Sequence, residues 1–194
     1  MIQNKKIILG SQSPRRQELL KQLGIEFEIE VLSINEIYPP DLSPYDVPEY
    51  LANLKSDQFS AKRLYKTCVI TSDTVVIYNE RILGKPLNKT DALSMIMELS
   101  NKEHYVITGV CLKFENKKKS FSSISKVEFE KISKAEANYY INTFEPLDKA
   151  GGYGIQEWIG QARIKKIDGC YYNIMGLPLN QLYNNLVQEN VITF

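Results

Sequence analysis

Ile7-Ile8-Leu9-Gly10-Ser11-Gln12-Ser13-Pro14-Arg15-Arg16-Gln17-Glu18-Leu19-Leu20 reads as a buried strand, a tight turn of small residues and a helix. Ile7 to Leu9 are apolar and partly β-branched, which suits a strand covered on both faces. Ser13 is a good N-cap, and Pro14 falls at the first helical position, where its missing N–H costs nothing. Leu19, Leu20 and Leu23 form one apolar stripe, and Gly24 is placed to end the helix in a left-handed cap. Arg15 and Arg16 are out of place electrostatically. A helix N-terminus carries partial positive charge, so each cation there costs roughly 0.3–1 kcal/mol. An anion held by the free N–H groups and both guanidinium groups would reverse that sign and make the turn a phosphate site. The alternative is that both arginines point into water.

The whole chain has the composition of a globular protein. Its 194 residues can bury a sizeable core, and 43% hydrophobic against 24% charged residues argues against disorder. The formal net charge of +1 leaves no global basic field for nucleic acid. Cys68, Cys111 and Cys170 have neither metal-ligand nor redox-motif spacing, so free thiols in a reducing compartment are expected. The apolar run after Lys5-Lys6 is too short for a signal peptide, and no stretch approaches the roughly 20 apolar residues of a membrane span. A cytoplasmic protein without membrane or nucleic-acid partners is expected, and association into a homodimer is left open.

Outward from the opening turn, Phe27 to Leu32 alternates apolar and acidic residues and predicts a half-exposed strand. Glu36 follows in a loop. A helix is expected from about Asp46 to Leu64, with Leu51, Leu54, Ala61 and Leu64 inward and Lys55 at the border of the apolar face. Val69 to Ile77 reads as a central strand, in which Asp73 is anomalous. Aspartate is depleted in strands, and a buried carboxylate needs a cation, a metal, N–H donors or water. A catalytic or metal role and a capping role at the sheet end are the two readings. A turn at Asn79-Glu80 leads to a short strand, and Pro86 holds Lys85 extended.

Thr90 is expected to cap a helix whose methionines fill the core. His104 to Phe114 is a strand with a bulge or a close backbone approach at Thr108-Gly109. With a single histidine, a zinc site or Ser-His triad is disfavoured. Lys117 to Lys119 reads as a solvated loop tip before the return strand, which should run to about Ile132. Ser133-Lys134-Ala135-Glu136 is a capping box. Asp148-Lys149-Ala150-Gly151-Gly152-Tyr153-Gly154 is a glycine-rich stretch, without the spacing of a P-loop or dinucleotide fingerprint, that can approach a ligand closely. Ala162 to Ile167 is expected as a strand, Leu179 to about Val187 as the last helix, and residues 189–194 as a frayed tail.

Seven segments together resemble one family. They are Ser11-x-Ser-Pro-Arg-Arg-x-Glu-Leu-Leu, Ser72-Asp-Thr-Val-Val, Ile82-Leu-Gly-Lys-Pro, His104-x-Val-x-Thr-Gly-Val, Glu145-Pro-Leu-Asp-Lys-Ala-Gly, Tyr153-Gly-Ile-Gln and Gly176-Leu-Pro. In this order they resemble the Maf family of nucleoside triphosphate pyrophosphatases across nearly the whole chain. The resemblance implies one domain over residues 1–194: an elongated mixed-sheet α/β fold, related to the inosine triphosphate pyrophosphatases, with two lobes around a central cleft. It implies metal-dependent hydrolysis, with Mg2+ or Mn2+, between the α and β phosphates of a nucleoside triphosphate. Asp73 falls on the family's proposed general base, and Glu36 with Asp73 on its metal-ligand positions. Ser11, Ser13, Arg15, Arg16, Lys55, Lys85 and Lys149 are the expected substrate contacts. Arg15, Thr74 and Gln156 are of the type that marks the dTTP/UTP branch. The implied reaction is dTTP or UTP to the monophosphate and pyrophosphate. A regulator of cell-division arrest and a hydrolase of modified pyrimidine nucleotides are the alternatives. Departures are Cys170 in place of a common serine, Ala162 in place of a larger apolar residue, and an insertion-like stretch from Glu157 to Gly160.

Overall fold

The structure, a computed structural model, describes residues 1–60 and 64–194. The expected inward position Ala61 lies outside the described residues. The chain forms two compact units: Met1–Asp73, Thr108–Ser123 and Gly176–Phe194 make the first, and Thr74–Ile107 with Ile124–Met175 the second. Three long strands, β4 (Thr67–Tyr78), β6 (Glu103–Lys113) and β7 (Lys118–Phe129), each give one portion to each unit. The class is α/β with a mixed sheet, as expected.

In the first unit β2 (Lys6–Leu9) lies between β3 (Glu28–Ile29) and β4 and runs parallel to both, Ile8 standing opposite Glu28 and Val69. A parallel neighbour on each side requires the all-apolar Ile7-Ile8-Leu9 run, and all three are buried. Helix α1 (Pro14–Gln22) starts where Pro14 predicts. It ends as a Schellman motif: Gly24 at φ 70 donates to Lys21 O at 2.9 Å, and Ile25 to Leu20 O at 3.3 Å. β3 is far shorter than the alternation from Phe27 to Leu32 suggests. Ile29, Val31 and Leu32 remain exposed at β3 and just beyond it, and β3 is an edge strand of the sheet.

Helix α2 (Val47–Asp57) begins at the expected Asp46 cap but stops well before Leu64. Gln58 and Phe59 donate to Lys55 O and Ser56 O, a tightened last turn that sends Phe59 into a cluster with Ile8, Leu64 and Val69. β6 is unbroken at Thr108-Gly109. A Cβ on Gly109 would lie 2.3 Å from Glu49 N, so the glycine marks a close backbone approach of α2. Residues 189–194 are not a frayed tail. After α7 (Leu179–Gln188), β9 (Ile192–Thr193) pairs antiparallel with β1 (Ile2–Gln3), and Val191 and Ile192 are fully buried. Their apolar side chains outweigh the fraying expected of a terminus. Lys117 and Lys119 are not simply solvated, since both pair with Glu189, and Lys118 pairs with Asp57.

In the second unit β5 (Arg81–Leu83) pairs antiparallel with β4, and β8 (Ile164–Asp168) with β7. Asn79 and Glu80 both have positive φ, the pair of left-handed residues that a two-residue hairpin turn requires. Helix α3 (Lys89–Leu99) packs on α4 (Lys134–Phe144). The α3 cap is Asn88, accepting from Asp91 N, instead of Thr90, and Met97 faces solvent while Ala92, Ile96 and Leu99 are buried. The Ser133–Glu136 capping box forms as read. Ala162 lies in helix α5 (Trp158–Arg163), so the strand expected from Ala162 begins two residues later, at Ile164. A short helix α6 (Tyr171–Ile174) follows β8.

Candidate active site

The turn between β2 and α1 is built close to β4. Gly10 N–H donates to Ile70 O at 2.8 Å, and a Cβ on Gly10 would press on Thr71 at 2.7 Å. Ser13 occupies the N-cap position but makes no side-chain cap bond. Ser11 Oγ instead accepts from Ser13 N–H at 3.3 Å and from Arg16 Nη1 at 3.2 Å. Arg16 also donates Nε to Gly176 O at 2.8 Å and Nη1 to Ser72 O at 3.0 Å, so one guanidinium spans three chain segments. Lost hydration pushes its pKa down, Asp73 and Glu36 pull it up, and Arg15 lowers it further. Backbone carbonyls and two nearby carboxylates thus relieve the charge that the helix dipole opposes. Arg15 is partly buried beside it.

Strand alternation puts Thr71 and Asp73 on one face of β4. That face meets α2: Thr71 Oγ1 donates to Ala52 O at 2.7 Å, and Lys55 Nζ stands 2.6 Å from Asp73 Oδ1. The same ammonium is 2.9 Å from Glu36 Oε1. Lys55 and Asp73 are 17% and 14% exposed in their side chains, whereas Glu36, on its loop, is 54% exposed. Two carboxylates therefore converge on one cation. The anomaly at Asp73 has its answer in a residue 18 positions away on a helix. Thr74, the next residue, projects to the opposite face by the same alternation.

The second unit carries the remaining expected residues. Gly151 N–H donates to Gly84 O at 3.0 Å, which ties the glycine-rich stretch to the segment bearing Lys85. Lys85 is exposed and has no ionic partner among the described residues. Lys149 is buried, and its ammonium meets Asp148 at 2.6 Å and Glu157 at 3.1 Å. Glu157 also accepts from Tyr140 Oη. Gln156 lies in the turn between them, partly buried. His104 is fully interior. It shares a hydrogen bond of 2.7 Å with Tyr153 Oη, and burial lowers its pKa from 6.5 to about 3. It is a neutral core residue.

A family profile described as Maf-like protein matches residues 6–189, and these residues include every position of both clusters. The chain belongs to the Maf family. Two of its relatives are each named dTTP/UTP pyrophosphatase. One, from Bacteroides thetaiotaomicron, is 44% identical over 181 residues, 93% of this chain and 94% of the relative. The other, from Porphyromonas gingivalis, is 47% identical over 184 residues, 93% and 92% of the two chains. Among solved structures, the Ham1 protein of Staphylococcus aureus aligns at TM-score 0.47 and 13% identity over 64% of this chain and 72% of that one.

The Glu36–Lys55–Asp73 cluster has the donor chemistry that suits a hard divalent ion. Both donors are carboxylate oxygens, and their convergence on one ammonium shows that a cation can touch both. Among the described residues no group of three or more His, Cys, Asp or Glu side chains gathers for a metal. An ion held by Glu36 and Asp73 would draw its other ligands from water and substrate, as magnesium sites commonly do. Sequence reasoning assigned no role to Tyr140 or Glu157. Their partnership runs over 17 residues and leaves no local pattern. The one available signal was a carboxylate set directly beside Gln156.

Proposed function

We propose that this chain hydrolyses dTTP and UTP to the nucleoside monophosphate and pyrophosphate. The observation that carries the reading is the convergence of Asp73 and Glu36 on Lys55 beside Arg16, in a Maf family chain whose relatives are named for that activity. Asp73 orients a water molecule and accepts its proton as the oxygen attacks the α-phosphorus. The bond from that phosphorus to the α–β bridging oxygen breaks, and the electron pair leaves with pyrophosphate. Such a reaction needs positioning and charge stabilisation more than covalent help. Arg15, Arg16, Lys55 and Lys85 supply positive charge to the phosphates. Ser11 and Ser13 lie in the turn that presents the free N–H groups of α1. A divalent ion, Mg2+ or Mn2+, held by Glu36 and Asp73 would supply charge neutralisation on the phosphate oxygens. Gln156 reads the pyrimidine, and Arg15 and Thr74 are assigned with it to substrate choice, Thr74 on the face of β4 opposite Asp73. The reaction is assigned to the cytoplasm.

The test is a panel of dTTP, UTP, CTP, GTP and modified pyrimidine triphosphates with Mg2+ or Mn2+, run in 18O-labelled water. The expected result is preference for dTTP and UTP, with the label in the monophosphate. Label in pyrophosphate would refute attack at the α-phosphorus. No turnover of any triphosphate would favour a nucleotide-binding regulator.

A further inference from the structure

The residues around Gln156 form a closed scaffold within the second unit. Tyr140, fully buried on α4, donates its hydroxyl to Glu157 and accepts Gly154 N–H at 2.9 Å. The other Glu157 oxygen meets Lys149, which also holds Asp148. Glu157 N–H donates to Gly154 O at 3.1 Å, closing a four-residue turn in which Gln156 is third. A Cβ on Gly154 would lie 2.8 Å from the Glu157 carboxyl carbon, so this packing requires the glycine. On the far side, a Cβ on Gly160 would lie 1.9 Å from Ile155 O, so the start of α5 is pressed against the same turn. Gln161 Nε2 donates to Gln156 O at 3.0 Å. The backbone of Gln156 is thus held from both sides. Its side-chain amide has no hydrogen-bond partner among the described residues.

A carboxamide can donate to one carbonyl of thymine or uracil and accept from its N3–H. Such two-point reading works only when the amide is held to within a fraction of an ångström. We infer that Glu157, with Tyr140 and Lys149, is a positioning device that holds Gln156 in place for the pyrimidine edge. The inference rests on the dTTP/UTP reading and adds residues that do not touch the substrate. It gives Lys149, whose side chain is 9% exposed between Asp148 and Glu157, a structural task in place of direct phosphate contact.

The test uses Glu157→Gln and Tyr140→Phe, which preserve volume, alone and with Gln156→Ala. Two readouts are taken: amide hydrogen exchange across residues 154–161, and steady-state kinetics on dTTP, UTP and CTP. Both single variants should exchange about tenfold faster at Gly154 and Glu157. KM for dTTP should rise about tenfold and the dTTP-to-CTP preference should fall about tenfold, with kcat within about twofold. In the Gln156→Ala background, Glu157→Gln should add nothing, as for residues acting through one group. Unchanged exchange, a loss confined to kcat, or additive effects would overturn the positioning role. A wild-type protein with no preference for dTTP or UTP over CTP would overturn the underlying reading itself, and the inference with it.

Discussion

Replacing Lys55 with methionine keeps the stem that borders the apolar face of α2 and removes the ammonium that touches both Glu36 and Asp73. Asp73 is then left with a largely enclosed carboxylate, 14% exposed, facing a second carboxylate that is mostly in water. Removing one partner of a fully buried ion pair costs about 3–5 kcal/mol, and an exposed pair is worth about 0–1 kcal/mol. This pair lies between those limits, so about 2 kcal/mol is expected. For a chain of this size that lowers Tm by about 4–8 °C. A divalent ion should then stabilise Lys55→Met more than the wild type, because no ammonium competes for the two carboxylates. At an ion concentration ten times Kd the recovery is about 1.4 kcal/mol. The assay is thermal unfolding followed by circular dichroism, with and without Mg2+ or Mn2+. An unchanged Tm together with no metal-dependent recovery would refute the reasoning, since the pair would then neither stabilise the fold nor mark a cation site.

Three further outcomes follow from geometry elsewhere. The unfolded chain binds a proton on His104 below pH 6.5 that the folded chain refuses until about 3, so stability falls as pH drops through that window. At pH 4.5 the loss is about 3 kcal/mol, and urea titrations from pH 7 to 4.5 should show a shallower decline in His104→Phe. Gly109→Ala places a Cβ against the Pro48–Glu49 backbone, which cannot yield as a side chain would, and should cost about 3 kcal/mol in the same titration. Deleting residues 190–194 removes β9 with the fully buried Val191 and Ile192, and should destabilise the protein by about 4 kcal/mol, read as a lower urea midpoint.

What the sequence disclosed was local chemistry. Pro14 at the start of α1, Gly24 at its left-handed end, the Asn79-Glu80 turn and the Ser133–Glu136 box each act within a few residues, and each formed as read. Asp73 was legible as an anomaly because a carboxylate conflicts with its own strand. Its partner Lys55 was legible only as a lysine on the border of an apolar face. The misreadings share one cause. The end of α2, the order in residues 189–194 and the pairing of Lys117 to Lys119 depend on side chains distant in the sequence. Ala162 failed differently: Ala-Arg-Ile-Lys-Lys-Ile carries a strand-like alternation, yet its first two residues close α5, which starts at the extended Glu157. Arg16 stands between the two groups. Its misfit with the helix dipole was visible, but its answer lies partly in the carbonyls of Ser72 and Gly176.

Asp73→Asn beside the wild type, with products of dTTP hydrolysis followed by phosphorus NMR, addresses the central claim most directly. The wild type should yield the monophosphate and pyrophosphate. The variant should fold normally, since Lys55 keeps its pairing with Glu36, and should lose turnover by a factor of about 100 or more. Turnover in Asp73→Asn near the wild-type rate, or inorganic phosphate and the diphosphate as wild-type products, would contradict the account.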